Sequence, residues 1–115
     1  MDRDGPPETP RPETDVEPYT RDFGGFLRRV PRAAVRTRSE ADVRQALAAA
    51  RGLGVRATVR GAGHSCHGQC LSEGGLVLVN ETAEATFRHL PGGRIEVPAR
   101  CRWSGVVRAL HREGW

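Results

Sequence analysis

A chain of 115 residues has room for one small domain at most. Its formal charge of +4 is carried by arginine, for there is no lysine, and it is uneven: −4 over residues 1–20 and +8 over 21–115. The arginines are scattered and only 5% of residues are aromatic, which argues against a nucleic-acid surface. No apolar run approaches the length of a membrane span. The acidic, proline-rich start is unlike a signal peptide, so the expected location is cytoplasmic. Three cysteines, an odd number, argue against a closed disulfide framework.

Residues 1–18 hold five prolines and almost no large apolar side chain, and are expected to form a disordered acidic leader. The domain is expected to occupy 19–115. Phe23, Phe26 and Leu27 are expected to pack on its body. Residues 31–36 read as a first strand. Ser39 then stands as a helix N-cap with Asp42 in the capping-box position. Val43, Ala46, Leu47 and Ala50 fall on one helical face, and Gly52 or Gly54 ends the helix. Val55, Ala57 and Val59 alternate with Arg56, Thr58 and Arg60, the period of a half-buried strand. The short apolar run Leu76, Val77, Leu78 and Val79 reads as a strand buried on both faces. Residues 85–90 and 94–97, joined by Pro91, Gly92 and Gly93, read as a hairpin. From Trp103 the pattern is helical, with Val106, Val107 and Leu110 on one face and Gly114 as a stop. His89 and His111 are expected at the surface and Cys101 at least half-buried.

The predicted strand 55–60 runs straight into a glycine-rich turn. Gly61 and Gly63 lack Cβ atoms, so the backbone there can take positive φ and approach a ligand closely. Consecutive N–H groups in such a turn form a concavity suited to phosphate oxygens. The turn would lie at the carboxyl end of a parallel strand, where open α/β sheets bind ligands. His64, Cys66, His67 and Cys70 also have the residue types of a zinc site. Four ligands within seven residues would need an awkwardly wound loop, and free thiols are the plainer reading of the cysteines.

The run RGAGHSCHGQ, residues 60–69, followed by Gly74, Gly75, Leu76 and Val77, resembles the PCMH-type FAD-binding domain of the vanillyl-alcohol oxidase / p-cresol methylhydroxylase flavoproteins. The likeness extends back to Asp22, Phe23, Gly24 and Gly25, and within that superfamily it is to the cytokinin dehydrogenases. The resemblance implies an α/β (α+β) fold: a first subdomain with a short parallel β-α-β sheet, and the start of a second with a hairpin and a helix. It implies FAD as cofactor, with His64 as the covalent attachment site, Gly61, Ala62, Gly63 and Ser65 along the pyrophosphate, and Gln69 in contact with the cofactor. The parent activity it implies is FAD-dependent oxidation of a small-molecule substrate, by transfer of hydride from a C–H next to nitrogen or oxygen. The family's catalytic aspartate and second glycine loop would lie beyond Trp115, so no catalytic residue is assigned here and the 115-residue chain is expected to be inactive alone. Expected partners are FAD and that substrate, with neither nucleic acid nor membrane. An oxidase of the same superfamily acting on sugars or alcohols is the alternative, and a non-catalytic module binding a small phosphate ligand or zinc is a further one.

Overall fold

The structure, a computed structural model, describes residues 11–81 and 87–115 and divides into two units, Met1–Glu81 and Thr82–Trp115. In the first unit, strands β1 (Pro12–Glu13), β2 (Ala33–Thr37), β3 (Ala57–Arg60) and β4 (Leu76–Asn80) form one sheet in the order β1-β2-β4-β3. β4 lies at the centre, parallel to both neighbours: Val35 and Val59 each stand opposite Leu78. Helix α1 (Glu40–Leu53) connects β2 to β3. Ser39 caps it by accepting from the Asp42 N–H, while the Asp42 carboxylate accepts from the Ser39 N–H, so two otherwise orphaned donors are satisfied. Gly54 closes it in the left-handed conformation, φ 65°.

The core follows from these elements. Ala46 and Ala50 of α1 pack with Ala33, Val35, Leu76 and Leu78 on one sheet face, with Val43 and Val55 at the margin. Tyr19, Ala34, Val77 and Val79 form the opposite cluster. Leu76 to Val79 are therefore buried on both faces, as their unbroken apolar run predicts. Leu47, predicted to share the helix's inner face, is half exposed; small alanines at 46 and 50 make the closest approach to the sheet instead.

Three expectations are corrected in this unit. Residues 12–13 do not belong to a structureless leader: Pro12 pairs with Val35 and Glu13 with Ala34, and Glu17–Tyr19 form a 3₁₀ turn that buries Tyr19. Edge pairing to β2 and the polar contacts of Glu13 supply what side-chain apolarity does not. Residues 1–10 lie outside the described residues. On β3 the apolar side is the open one, with Val59 64% exposed and Thr58 and Arg60 half-buried. The reason is topological: α1 packs on β2 and β4, and β3 sits at the sheet edge beyond it. Phe26 is 87% exposed and does not pack on the body, whereas Phe23 and Leu27 are only partly exposed, Phe23 against the His64 ring and Leu27 beside Gly68.

The second unit holds strands β5 (Arg88–Leu90) and β6 (Arg94–Glu96), an antiparallel hairpin, and helix α2 (Trp103–Arg112). Expected strand residues 85 and 86 lie outside the described residues. Val106 is buried and Leu110 half-buried, but Val107, assigned to the same face, is exposed. His89 is exposed and lies 2.6 Å from Glu113, and His111 is exposed. Among the described residues, no helix is long and apolar enough to cross a membrane.

Candidate functional site

The glycine turn begins where β3 ends, at the carboxyl end of the parallel strands. Gly63 is buried with φ 81°, a conformation costly for any residue with a Cβ. A Cβ there would also overlap the Arg60 guanidinium, 2.8 Å from Cζ and 3.0 Å from Nε. Gly61 differs from expectation: its φ lies outside the positive range and a Cβ would enter open space. Of the two glycines, only Gly63 is required by the fold of the turn itself. Gly68, buried with φ 74°, closes the loop, where the Leu71 N–H donates to its carbonyl at 3.0 Å.

The turn rests on the segment before β2. The Phe23 N–H donates to the Ser65 carbonyl at 2.9 Å, and the Phe23 ring lies 4.9 Å from the His64 ring. Asp22 shapes this segment: its Oδ1 accepts from the Leu27 N–H at 2.9 Å, and its carbonyl accepts from the Gly25 N–H at 3.0 Å. The other carboxylate oxygen of Asp22 is buried with no hydrogen-bond partner among the described residues.

The structure gathers the sequence-assigned residues unevenly. Gly61, Ala62 and His64 are exposed, Gly63 is buried and Ser65 is half-buried. Gln69 is exposed, and its Oε1 accepts from the His67 N–H at 3.0 Å, so one end of that side chain already serves the loop. His64, Cys66, His67 and Cys70 do not converge: among the described residues, no three His, Cys, Asp or Glu side chains are placed to hold a metal. Cys70 is buried with its sulfur 3.5 Å from Arg60 Nη1, while Cys66 is exposed.

Sequence reasoning passed over Arg60 and Tyr19. The Arg60 guanidinium lies 5.8 Å from the centre of the buried Tyr19 ring and donates to the Arg21 carbonyl at 3.3 Å. Tyr19 in turn bonds Glu13 through its hydroxyl, 3.2 Å, and accepts from Arg36 at 3.1 Å. Arg36 also pairs with Glu13 and Glu81. Burial pushes the Tyr19 phenol up, and the Arg36 guanidinium holds the Glu13 carboxyl below its ordinary value. The one available signal was position: Arg60 immediately precedes the glycine turn.

Residues 31–115 match the family model described as FAD binding domain. The chain belongs to this family of FAD-binding domains. FAD is therefore its cofactor, and the α/β arrangement of parallel sheet, helices and hairpin is consistent with part of such a domain. The chain is also 41% identical over 90 residues to a protein of Rhodococcoides fascians described as an uncharacterized oxidoreductase, ORF5 in the fasciation locus. That match takes in 76% of this chain and 20% of the relative. The chain thus spans about one fifth of that relative's length.

The site's geometry fits the cofactor's anionic part. Among the described residues, no group accepts a hydrogen bond from the N–H groups of Gly61, Ala62, Gly63 or His64. Four neighbouring donors left open beside a fixed guanidinium suit phosphate oxygens. The exposed His64 ring stands at the rim of the same turn.

Proposed function

We propose that this chain is the part of an FAD-dependent oxidoreductase that grips the cofactor's pyrophosphate and bonds the flavin through His64. When bound, FAD supplies two-electron chemistry, accepting hydride from a C–H next to nitrogen or oxygen of a small molecule. The observation that carries the reading is the His64 ring, exposed at the end of a parallel strand and set against Phe23, next to N–H groups that lack a protein acceptor. The backbone of residues 61–64 would hold phosphate oxygens, and the Ser65 side chain would add a hydroxyl donor. Phe23 would limit the positions of the imidazole. The attachment would join a ring nitrogen of His64 to the 8α-methyl carbon, each giving up one hydrogen, with the two electrons released taken up by the flavin. A specificity like that of cytokinin dehydrogenases is the substrate reading, supported by the register of residues 60–69.

The test is retention of flavin after denaturation. Protein expressed with FAD should keep flavin fluorescence through acid precipitation and gel electrophoresis, and His64→Ala should lose it. Flavin retained by His64→Ala would overturn the assignment, and loss on His67→Ala alone would move it to His67.

A further inference from the structure

Arg60 occupies an unusual position for the last residue of a strand. Its side chain does not run out to solvent but turns under the residues that follow it. Nη1 reaches the Arg21 carbonyl at 3.3 Å and the Cys70 sulfur at 3.5 Å, and Cζ stands 5.8 Å from the centre of the Tyr19 ring. These three partners come from the segment before β2, the end of the glycine loop and the 3₁₀ turn. On its remaining side lies Gly63, where a Cβ would occupy the guanidinium's space. Glycine is required there by its φ of 81°, and the guanidinium occupies the space its missing Cβ leaves. At Gly61, two residues earlier, neither holds.

An arginine suits this position better than other cations. Its planar fork offers several donors in fixed directions, and it stacks on an aromatic face. Tyr19 is itself fixed by Glu13 and Arg36, so the support of the guanidinium extends to β1. A chain of contacts therefore runs from Glu13 through Tyr19 and Arg60 to the turn at Gly63.

We propose that Arg60 is the positioning residue of the glycine turn: it fixes the backbone of residues 61–65 in an anion-receiving shape and adds a permanent positive charge at Gly63. The inference rests on the reading of this turn as the pyrophosphate site. It assigns Arg60 no part in the oxidation itself.

The experiment has two readouts, one of which needs no flavin. In the unliganded chain, backbone order parameters from ¹⁵N relaxation should be near the rigid value of about 0.85 for residues 62–65 and fall below about 0.6 in Arg60→Met. FAD titrated by fluorescence quenching should bind Arg60→Met roughly tenfold more weakly, as expected for losing a charged hydrogen-bonding group. Arg60→Lys keeps the charge without the planar fork, so it should recover part of the affinity, in a salt-dependent way, while the order parameters still fall. Slow exchange of the core amides of Val77 and Leu78 checks that the sheet persists. If Arg60→Met loses that protection, Arg60→Lys becomes the deciding variant. Order parameters unchanged in the deciding, folded variant would overturn the proposal. Failure of the wild-type chain to bind FAD would count against the pyrophosphate reading, while the order parameters would still decide whether Arg60 positions the turn.

Discussion

The ring of Phe23 lies 4.9 Å from that of His64 and tilted 48° to it, while the Phe23 N–H holds the carbonyl of the next residue, Ser65. One exposed phenylalanine therefore touches the proposed flavin ligand with its side chain and anchors the turn with its backbone. The two roles can be separated, because truncating the side chain leaves the backbone bond in place.

Phe23→Ala should leave stability within about 0.5 kcal/mol, since 57% of the residue is already exposed. Flavin attachment should slow by roughly two- to tenfold, matching about 0.5–1.5 kcal/mol of aromatic contact. The check is the time course of flavin retained after denaturation, run beside a urea melt. Attachment at the wild-type rate would remove Phe23 from the site.

Gly75→Ala and Gly52→Ala should move stability in opposite directions. At Gly75 a Cβ would overlap the Arg56 carbonyl oxygen and the Ser72 hydroxyl, with the Arg56 carbonyl carbon only 3.2 Å away. The backbone cannot swing aside, so a loss of about 2–3 kcal/mol is expected. Gly52 lies within α1 with open space at its Cβ and no positive φ, so alanine should gain about 0.5–1 kcal/mol. Urea midpoints at unchanged m-value measure both.

Ser39→Ala should cost about 1 kcal/mol, because it leaves the Asp42 N–H without its acceptor at the start of α1. Thermal melts check this, and Ser39→Asp should restore most of the loss.

The acid limb of stability should depend on Glu13. Its carboxyl is held low chiefly by the Arg36 guanidinium, so the ionised form is favoured by folding. That contribution is full above the unfolded value of about 4.3 and is lost as pH falls through the lower folded value. Asp42 acts in the same sense, held low chiefly by the Arg38 backbone N–H. Glu13→Gln should flatten the decline between neutral pH and pH 3 without abolishing it, as followed by urea midpoints across that range. Deleting residues 1–18 should lower stability at neutral pH as well, because it removes β1 together with Glu13.

What the sequence made legible was local. Ser39, Asp42 and Gly54 define the ends of α1 through contacts a few residues apart, and the structure forms them as read. Leu76 to Val79 announced a doubly buried strand through composition alone. Some misreadings depend on distant partners. Pro12 and Glu13 are strand residues only because Val35 and Ala34 lie beside them. Alternation told that Ala57 and Val59 share a face of β3, but not that α1 stops short of it. At the site, the string 60–69 singled out the turn and His64. It could not show that Arg60 folds back under Gly63, which depends on Tyr19 and Arg21 about forty residues upstream.

The strand order β1-β2-β4-β3 also sets a schedule for synthesis. A ribosome delivers β2, α1 and β3 before β4, which pairs with β2 and β3 in parallel, has emerged. Until residues 76–79 leave the exit tunnel, the edge of β3 that pairs with β4 keeps its backbone groups open. Pairing of β4 joins β2 and β3 into one sheet and so fixes both ends of the loop of residues 61–75. The speed of translation between the emergence of β3 and that of β4 thus sets how long that open edge persists. Slow codons read in that interval would lower soluble yield without altering a single amino acid.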